Sequence, residues 1–196
     1  MEPETVDIGS DLDSELYPLG KRIAVFGKGG KTTLARALAD RFEFEFVELD
    51  AIRHMAGWVE RPDDDFREVV TASLDGAQRG WVTDGNYLTV RRLIFDRVET
   101  VIVLALPWKI MLWRTFKRSL RRSYKREELW NGNRENFWLT FFTRQSVVYD
   151  LWWRRNHFRN FPKEISAGTP AGIDMHIIRS PKSLEELYEK YGLQKR

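Results

Sequence analysis

In "RIAVFGKGGKTTLARALADRF", residues 22–42, a short apolar run stops at a glycine cluster, and Leu34, Leu38 and Phe42 then recur at helical spacing. The stretch reads as strand, loop and helix. Glycines let the backbone approach a ligand closely, the first turn of a helix favours negative charge, and Lys31 suits phosphate oxygens. The pattern G-x-x-x-x-G-K-[ST] places a glycine five residues before the one that precedes the lysine, but that position is Val25. Gly27 lies only three residues before Gly30, so the loop is two residues short. Gly27, Gly29, Gly30, Lys31, Thr32 and Thr33 are the candidate phosphate-binding residues, with the Thr32 hydroxyl placed for magnesium. The plain alternative is a glycine-rich turn that holds no ligand.

Further strands follow outward from this one. "FEFVELD" ends at Asp50, "WVTDG" at Asp84 and Gly85, "TVIVLALP" at Pro107, and "DMHIIRS" precedes the helical "PKSLEELYEKYG". In that last helix Ser183 and Glu186 have capping-box spacing, and Gly192 is a stop. Residues 162–174, "PKEISAGTPAGID", read as a loop. Apolar strands alternating with helical segments predict an α/β fold: a parallel five-stranded sheet with helices on both faces. Ligands then gather at the C-terminal ends of the strands, where Lys31, Asp50 and Asp84 fall.

Length and composition set the outer bounds. A chain of 196 residues with 42% hydrophobic and 31% charged residues fits one domain with its own core. The absence of cysteine excludes disulfides, thiolate metal sites and cysteine nucleophiles. No apolar run approaches the ~20 residues that span a bilayer, and a cytoplasmic location is expected. Residues 1–20 form an acidic leader outside the fold, and the single domain is expected over 21–196.

Asp84 begins "DGNY", where a strand-end carboxylate can hold magnesium beside a phosphate loop, or merely start an Asp-Gly turn. Asp50 can accept a hydrogen bond from a substrate hydroxyl and act as its base, or cap a helix over "AIRHMAG". His54 has no partner at catalytic or metal-ligand spacing and reads as a pocket or surface residue. Asp63 to Asp65 suit a helix N-terminus better than a metal cluster.

Residues 108–160 carry thirteen Lys or Arg against four acids. Arg114, Arg118 and Arg122 recur every four residues on one helical face, with Lys117 and Arg121 on an adjoining one. Such a face suits polyphosphate, because arginine brings permanent charge and paired donors; a solvated cationic face is the plain alternative. Aromatics interleave with these charges, so residues 109–159 also suit single-stranded nucleic acid or an anionic membrane. Most of the aromatics fall at spacings expected for core.

"ELDAI" followed by Trp58, "WVTDGNY" followed by Arg91, and "LWRTFKRSLRRSYKREELWNGNRE" together resemble the adenylate-kinase-related P-loop proteins of the topology modulation (FlaR-like) family, over residues 21 to about 160. The resemblance implies a P-loop nucleotide-kinase-like fold with an acceptor lobe at about 51–80 and a helical lid at about 114–135. It implies an adenylate-kinase-like phosphotransferase in which Lys31 and Thr32 meet ATP and Mg2+, Asp84 is the second acid, and Asp50 and Arg91 face a small-molecule acceptor. Arg118 and Arg122 would be lid arginines, while Asn133 and Glu135 belong to the signature without an assigned role. The short loop departs from the family pattern. It leaves three readings open: a working loop of altered length, a noncatalytic pseudokinase, or an altered chain.

Overall fold

A computed structural model describes residues 16–125, 128–133 and 155–195. Five strands, β1 (Arg22–Gly27), β2 (Glu45–Glu48), β3 (Trp81–Asp84), β4 (Thr100–Leu104) and β5 (Asp174–Ile178), form one parallel sheet in the order β2-β3-β1-β4-β5. The register pairs Val25 with Asp84 on one side of β1 and with Ile102 on the other. Seven α-helices are seen among the described residues: α1 (Lys31–Phe42), α2 (Leu49–Arg53), α3 (Asp63–Gly76), α4 (Leu88–Phe95), α5 (Trp108–Lys125), α6 (Arg155–Gly168) and α7 (Pro181–Lys190). Among those residues no helix is long and apolar enough to cross a membrane.

The alternation of β1 explains the layers. Ile23 and Val25 face one core with Leu34 and Leu38 of α1 and Leu184 and Leu187 of α7. Ala24 and Phe26 face the other, with Phe66 and Val70 of α3, Ile94 of α4 and Ile165 of α6. Both faces are covered, so the central strands β1 and β4 are buried almost throughout and mainly apolar. Because β3 and β4 flank β1, a crevice opens at the C-terminal end of β1, where the glycine loop sits.

Several elements depart from the sequence expectation. β2 stops at Glu48, and Asp50 lies within the first turn of α2 rather than capping it, the N-cap position being Glu48. Residues 162–168 are helical, not loop: α6 runs through Pro162 because Phe161 and Ile165 are buried against the sheet. That packing outweighs the lost N–H of the proline. The cap of α7 is Ser180, whose hydroxyl accepts from the Ser183 amide (3.0 Å), with Pro181 at the first helical position. The spacing of Ser183 and Glu186 therefore marks no cap. The fold also reaches back before residue 21. Tyr17 packs on Phe44 (5.2 Å), Leu19 is buried, and the Thr100 hydroxyl donates to the Leu19 carbonyl (2.6 Å). The rest of the acidic leader, residues 1–15, lies outside the described residues.

Among the described aromatics of the basic region, Trp108, Phe116 and Trp130 are partly buried, with Trp108 packed against the core. Trp113 and Tyr124 on α5 are exposed, and Lys117 lies 5.6 Å over the Trp113 ring. The aromatics of 134–154 fall outside the described residues.

Candidate active site

Gly27 ends β1 with φ 114°, and a Cβ there would collide with the Leu104 carbonyl of β4, so only glycine fits. Asn86 holds the loop entrance from both sides. Its Oδ1 accepts from the Gly27 amide (3.0 Å) and its Nδ2 donates to the Gly27 carbonyl (2.9 Å). Gly29 and Gly30 follow at φ 79° and 141°. Arg114 of α5 donates to the Gly29 carbonyl (3.0 Å), so the arginine helix is tied to the short loop. α1 begins at once with Lys31. Its first intrahelical bond runs from the Leu34 amide to the Gly30 carbonyl (3.0 Å), which leaves the amides of Lys31, Thr32 and Thr33 ahead of the helical ladder.

Three strand ends converge on this turn. Lys31 Nζ lies 3.1 Å from Asp84 Oδ2 and 3.4 Å from Asp50 Oδ2, and the Thr32 hydroxyl donates to Asp84 Oδ2 (2.5 Å). The Tyr87 hydroxyl donates to Asp50 Oδ1 (2.7 Å) and lies 3.4 Å from His54 Nε2. Burial pulls the Lys31 ammonium down, but the Asp84 and Asp50 carboxylates outweigh it and raise the pKa above the ordinary lysine value. Burial pushes the Asp50 carboxyl up, yet Lys31 and the Tyr87 hydroxyl prevail and hold it below the usual range. For Tyr87, burial and the Asp50 charge act together and push the phenol upward, so it stays a donor.

Asp84 Oδ1 is buried without a hydrogen-bond partner. A carboxylate with an unsatisfied oxygen beside a threonine hydroxyl is an all-oxygen donor set of the kind magnesium takes, and it fits that ion. No cluster of three or more His, Cys, Asp or Glu able to hold a metal occurs among the described residues.

The cleft above these residues has a volume of about 1090 Å³. Lys28 to Thr33 form its floor, and Arg118, Arg121 and Arg122 of α5 line it opposite. Arg121, which the four-residue spacing puts on an adjoining helical face, thus lines the cleft together with Arg118 and Arg122. Asp50, His54, Trp58, Tyr87 and Trp130 line the far end. Arg91 is elsewhere: it pairs with Glu164 of α6 (2.7 Å) and does not line the cleft.

Residues 128–133 reach across to the segment after α2. Asn131 donates to the carbonyls of His54 (2.6 Å) and Ala51 (3.2 Å). Asn133 donates to the Met55 carbonyl (2.9 Å) and accepts from the Trp58 amide (2.9 Å). Trp130 stacks on His54 with ring centroids 6.0 Å apart. Asn133, which the sequence leaves without a role, is therefore a clasp between two parts of the cleft wall; Glu135 lies outside the described residues. Asn86, Tyr87 and the clasping role of Arg114 are absent from the sequence-based site. The only signal for the first two is their place in "DGNY", directly after a strand-end acid.

No protein-family model and no curated protein matches the chain. Solved structures do. Shikimate kinase from Acinetobacter baumannii, solved with shikimate, is 20% identical over 90% of this chain and 93% of its own, with a TM-score of 0.50. An uncharacterised protein from Eubacterium ventriosum is 10% identical over 87% of this chain and 96% of its own, at TM-score 0.46. A sugar kinase from Janibacter is 16% identical over 86% and 92%, at TM-score 0.45. The chain shares the fold of that shikimate kinase, a parallel five-stranded sheet covered by helices.

Proposed function

We propose that the chain binds magnesium-ATP at Gly27 to Thr33 and transfers the γ-phosphoryl group to a hydroxyl of a small molecule held near Asp50. The observation that carries this reading is the convergence of Lys31, Thr32, Asp84 and Asp50 at the first turn of α1, in an arginine-lined cleft. Lys31 exchanges its carboxylate partners for the phosphate oxygens, which frees Asp50 for the acceptor. The acceptor oxygen forms a bond to the γ-phosphorus, the bond from that phosphorus to the β–γ bridging oxygen breaks, and ADP leaves with the electron pair. Asp50, held ionised, takes the hydroxyl proton as the new bond acidifies it. Magnesium, held by the Thr32 hydroxyl and Asp84, would supply neutralisation of phosphate charge. Arg118 and Arg122 face the same cleft and supply fixed positive charge for the transferring group.

Within this reading the domain divides into a core, an acceptor lobe after Asp50 and a lid from Arg114 through the Asn133 clasp. The adenylate-kinase-related topology modulation family remains the proposed kinship. It is supported by the meeting of its three quoted segments at Asp50, Tyr87 and Asn133. A cytoplasmic location accompanies it. Because Arg118, Arg121 and Arg122 line the cleft, the basic face favours a phosphorylated ligand over an extended polyanion. The test is ATP turnover and binding in Lys31→Ala. Loss of both with the thermal transition preserved is expected, and unchanged turnover would overturn the reading.

A further inference from the structure

The acceptor end of the cleft differs chemically from its phosphate end. His54, Trp58 and Trp130 form a wall of three rings, with His54 at 5.6 Å from Trp58, Trp130 stacked on His54 at 6.0 Å, and the two tryptophans edge to face at 6.4 Å. The rings pack on one another rather than around a gap, and Trp58 remains 42% exposed at the cleft. A wall of this kind offers a stacking surface. Its position is fixed by the side chains of Asn131 and Asn133 on the backbone of residues 51–58.

The acids around this wall are held by cations. Asp50 is matched by Lys31, and Glu60 by Arg53 (2.7 Å), which also holds Asp63 (2.6 Å). Arg61 donates to the Ile52 carbonyl (3.0 Å). Among the described residues, the cations lining the cleft come from the loop, α1 and α5. The acceptor end therefore presents a hydroxyl-binding carboxylate and an aromatic surface, with no cation of its own lining the cleft among the described residues. The cleft's volume of about 1090 Å³ also exceeds the roughly 300–1000 Å³ of ordinary small-molecule sites, which leaves room for a second ring-bearing ligand beside ATP.

We propose that the acceptor is an uncharged, ring-bearing alcohol of the nucleoside class, stacked on the wall of His54, Trp58 and Trp130 with a hydroxyl directed to Asp50. This rests on the phosphotransferase reading above. When Lys31 turns to the phosphates, Asp50 is left as the acceptor's hydrogen-bond partner, and the ring is held by stacking alone.

Calorimetry on the full chain separates the two claims. A non-hydrolysable magnesium-ATP analogue is titrated first, and adenosine, cytidine and their 5′-monophosphates are then titrated into the saturated protein. The expected result is binding of at least one nucleoside about tenfold or more tighter than its monophosphate. Trp130→Ala should weaken it about ten- to hundredfold, as loss of one aromatic stacking partner does. In that variant the analogue's affinity should stay within about twofold, and Trp130→Phe should restore most of the nucleoside binding. Analogue binding without nucleoside binding, or monophosphates bound tighter than nucleosides, would overturn the acceptor proposal and leave the kinase reading standing. Nucleoside binding without analogue binding would support the wall and overturn the kinase reading. If Trp130→Ala does not fold, the ratio of nucleoside to monophosphate affinity in the unaltered chain decides.

Discussion

Replacing Asn133 with alanine should open the clasp without unfolding the core. The side chain is 4% exposed and makes two hydrogen bonds to the facing segment, to the Met55 carbonyl and from the Trp58 amide, each 2.9 Å. Both backbone groups belong to residues that are at least partly exposed, so once released they can be rewetted. The cost is then the net value of the bonds, about 1 kcal/mol each and about 2 kcal/mol together. That corresponds to a roughly 30-fold larger opening constant for the clasp. Amide hydrogen exchange followed by mass spectrometry reads this directly. Peptides covering residues 54–60 should exchange about 30-fold faster, while those of β1 and β4 keep their rates. Asn133→Asp keeps the acceptor for Trp58 but sets a carboxylate oxygen against the Met55 carbonyl, so exchange at 54–60 should accelerate at least as much as in the alanine variant. Unchanged exchange at Trp58 would refute the clasp. A uniform acceleration that included β1 and β4 would show that Asn133 supports the whole fold instead.

Other consequences follow from single positions. Gly27→Ala must place a Cβ against the Leu104 carbonyl at φ 114°, and should lower stability by about 2 kcal/mol or more, visible as a reduced thermal midpoint. Ser180→Ala removes the cap of α7 and should cost about 1 kcal/mol in chemical denaturation, with nucleotide binding unaffected. The Lys31–Asp50 pair sets a pH window. The Asp50 pKa is depressed by folding, so its contribution is complete above the ordinary value of 3.8 and is lost as pH falls through the lower folded value. The Lys31 pKa is raised, so its contribution is complete below 10.5 and is lost only as pH rises through the higher folded value. The stability difference between the chain and Asp50→Asn should therefore narrow below about pH 4 and again only above the ordinary lysine value of 10.5; a difference that does not narrow on the acid side would contradict the pairing.

Local pattern was enough for the sheet. The apolar runs ending at Gly27, Asp84 and Pro107, and the i, i+4 spacing of Leu34, Leu38 and Phe42, are set by burial on two faces, which leaves a direct trace in the sequence. The acids Asp63 to Asp65 likewise mark the start of α3 through the helix dipole. Where tertiary packing outweighs local preference, the trace misleads. Pro162 and Gly168 look like loop residues, yet Phe161 and Ile165 carry the helix across the sheet. Tyr17 and Leu19 look like the tail of an acidic leader, yet they close the edge of the core beside Phe44 and Thr100.

The candidate site divides along the same line. Lys31, Thr32, Asp50 and Asp84 are legible because each lies at or just beyond the end of a strand, and a parallel sheet brings strand ends together. The bonds from Asn86 to Gly27, from Tyr87 to Asp50 and from Arg114 to Gly29 join residues 59, 37 and 85 positions apart. No local periodicity encodes such partners. The placement of Arg91 against Glu164 depends on the path of the second half of α6, residues 162–168, which the sequence presents as loop.

The central claim is that a loop two residues short still holds a nucleotide, and it is tested most directly by calorimetric titration of magnesium-ATP. The titration is made into this chain and into a variant with Ser-Gly inserted between Gly30 and Lys31. The account predicts that both bind, because Asn86 and Arg114 fix the short loop and Lys28 to Thr33 line the cleft. Binding by the lengthened variant alone would contradict it, and would mark the chain as a kinase fold whose phosphate loop no longer works.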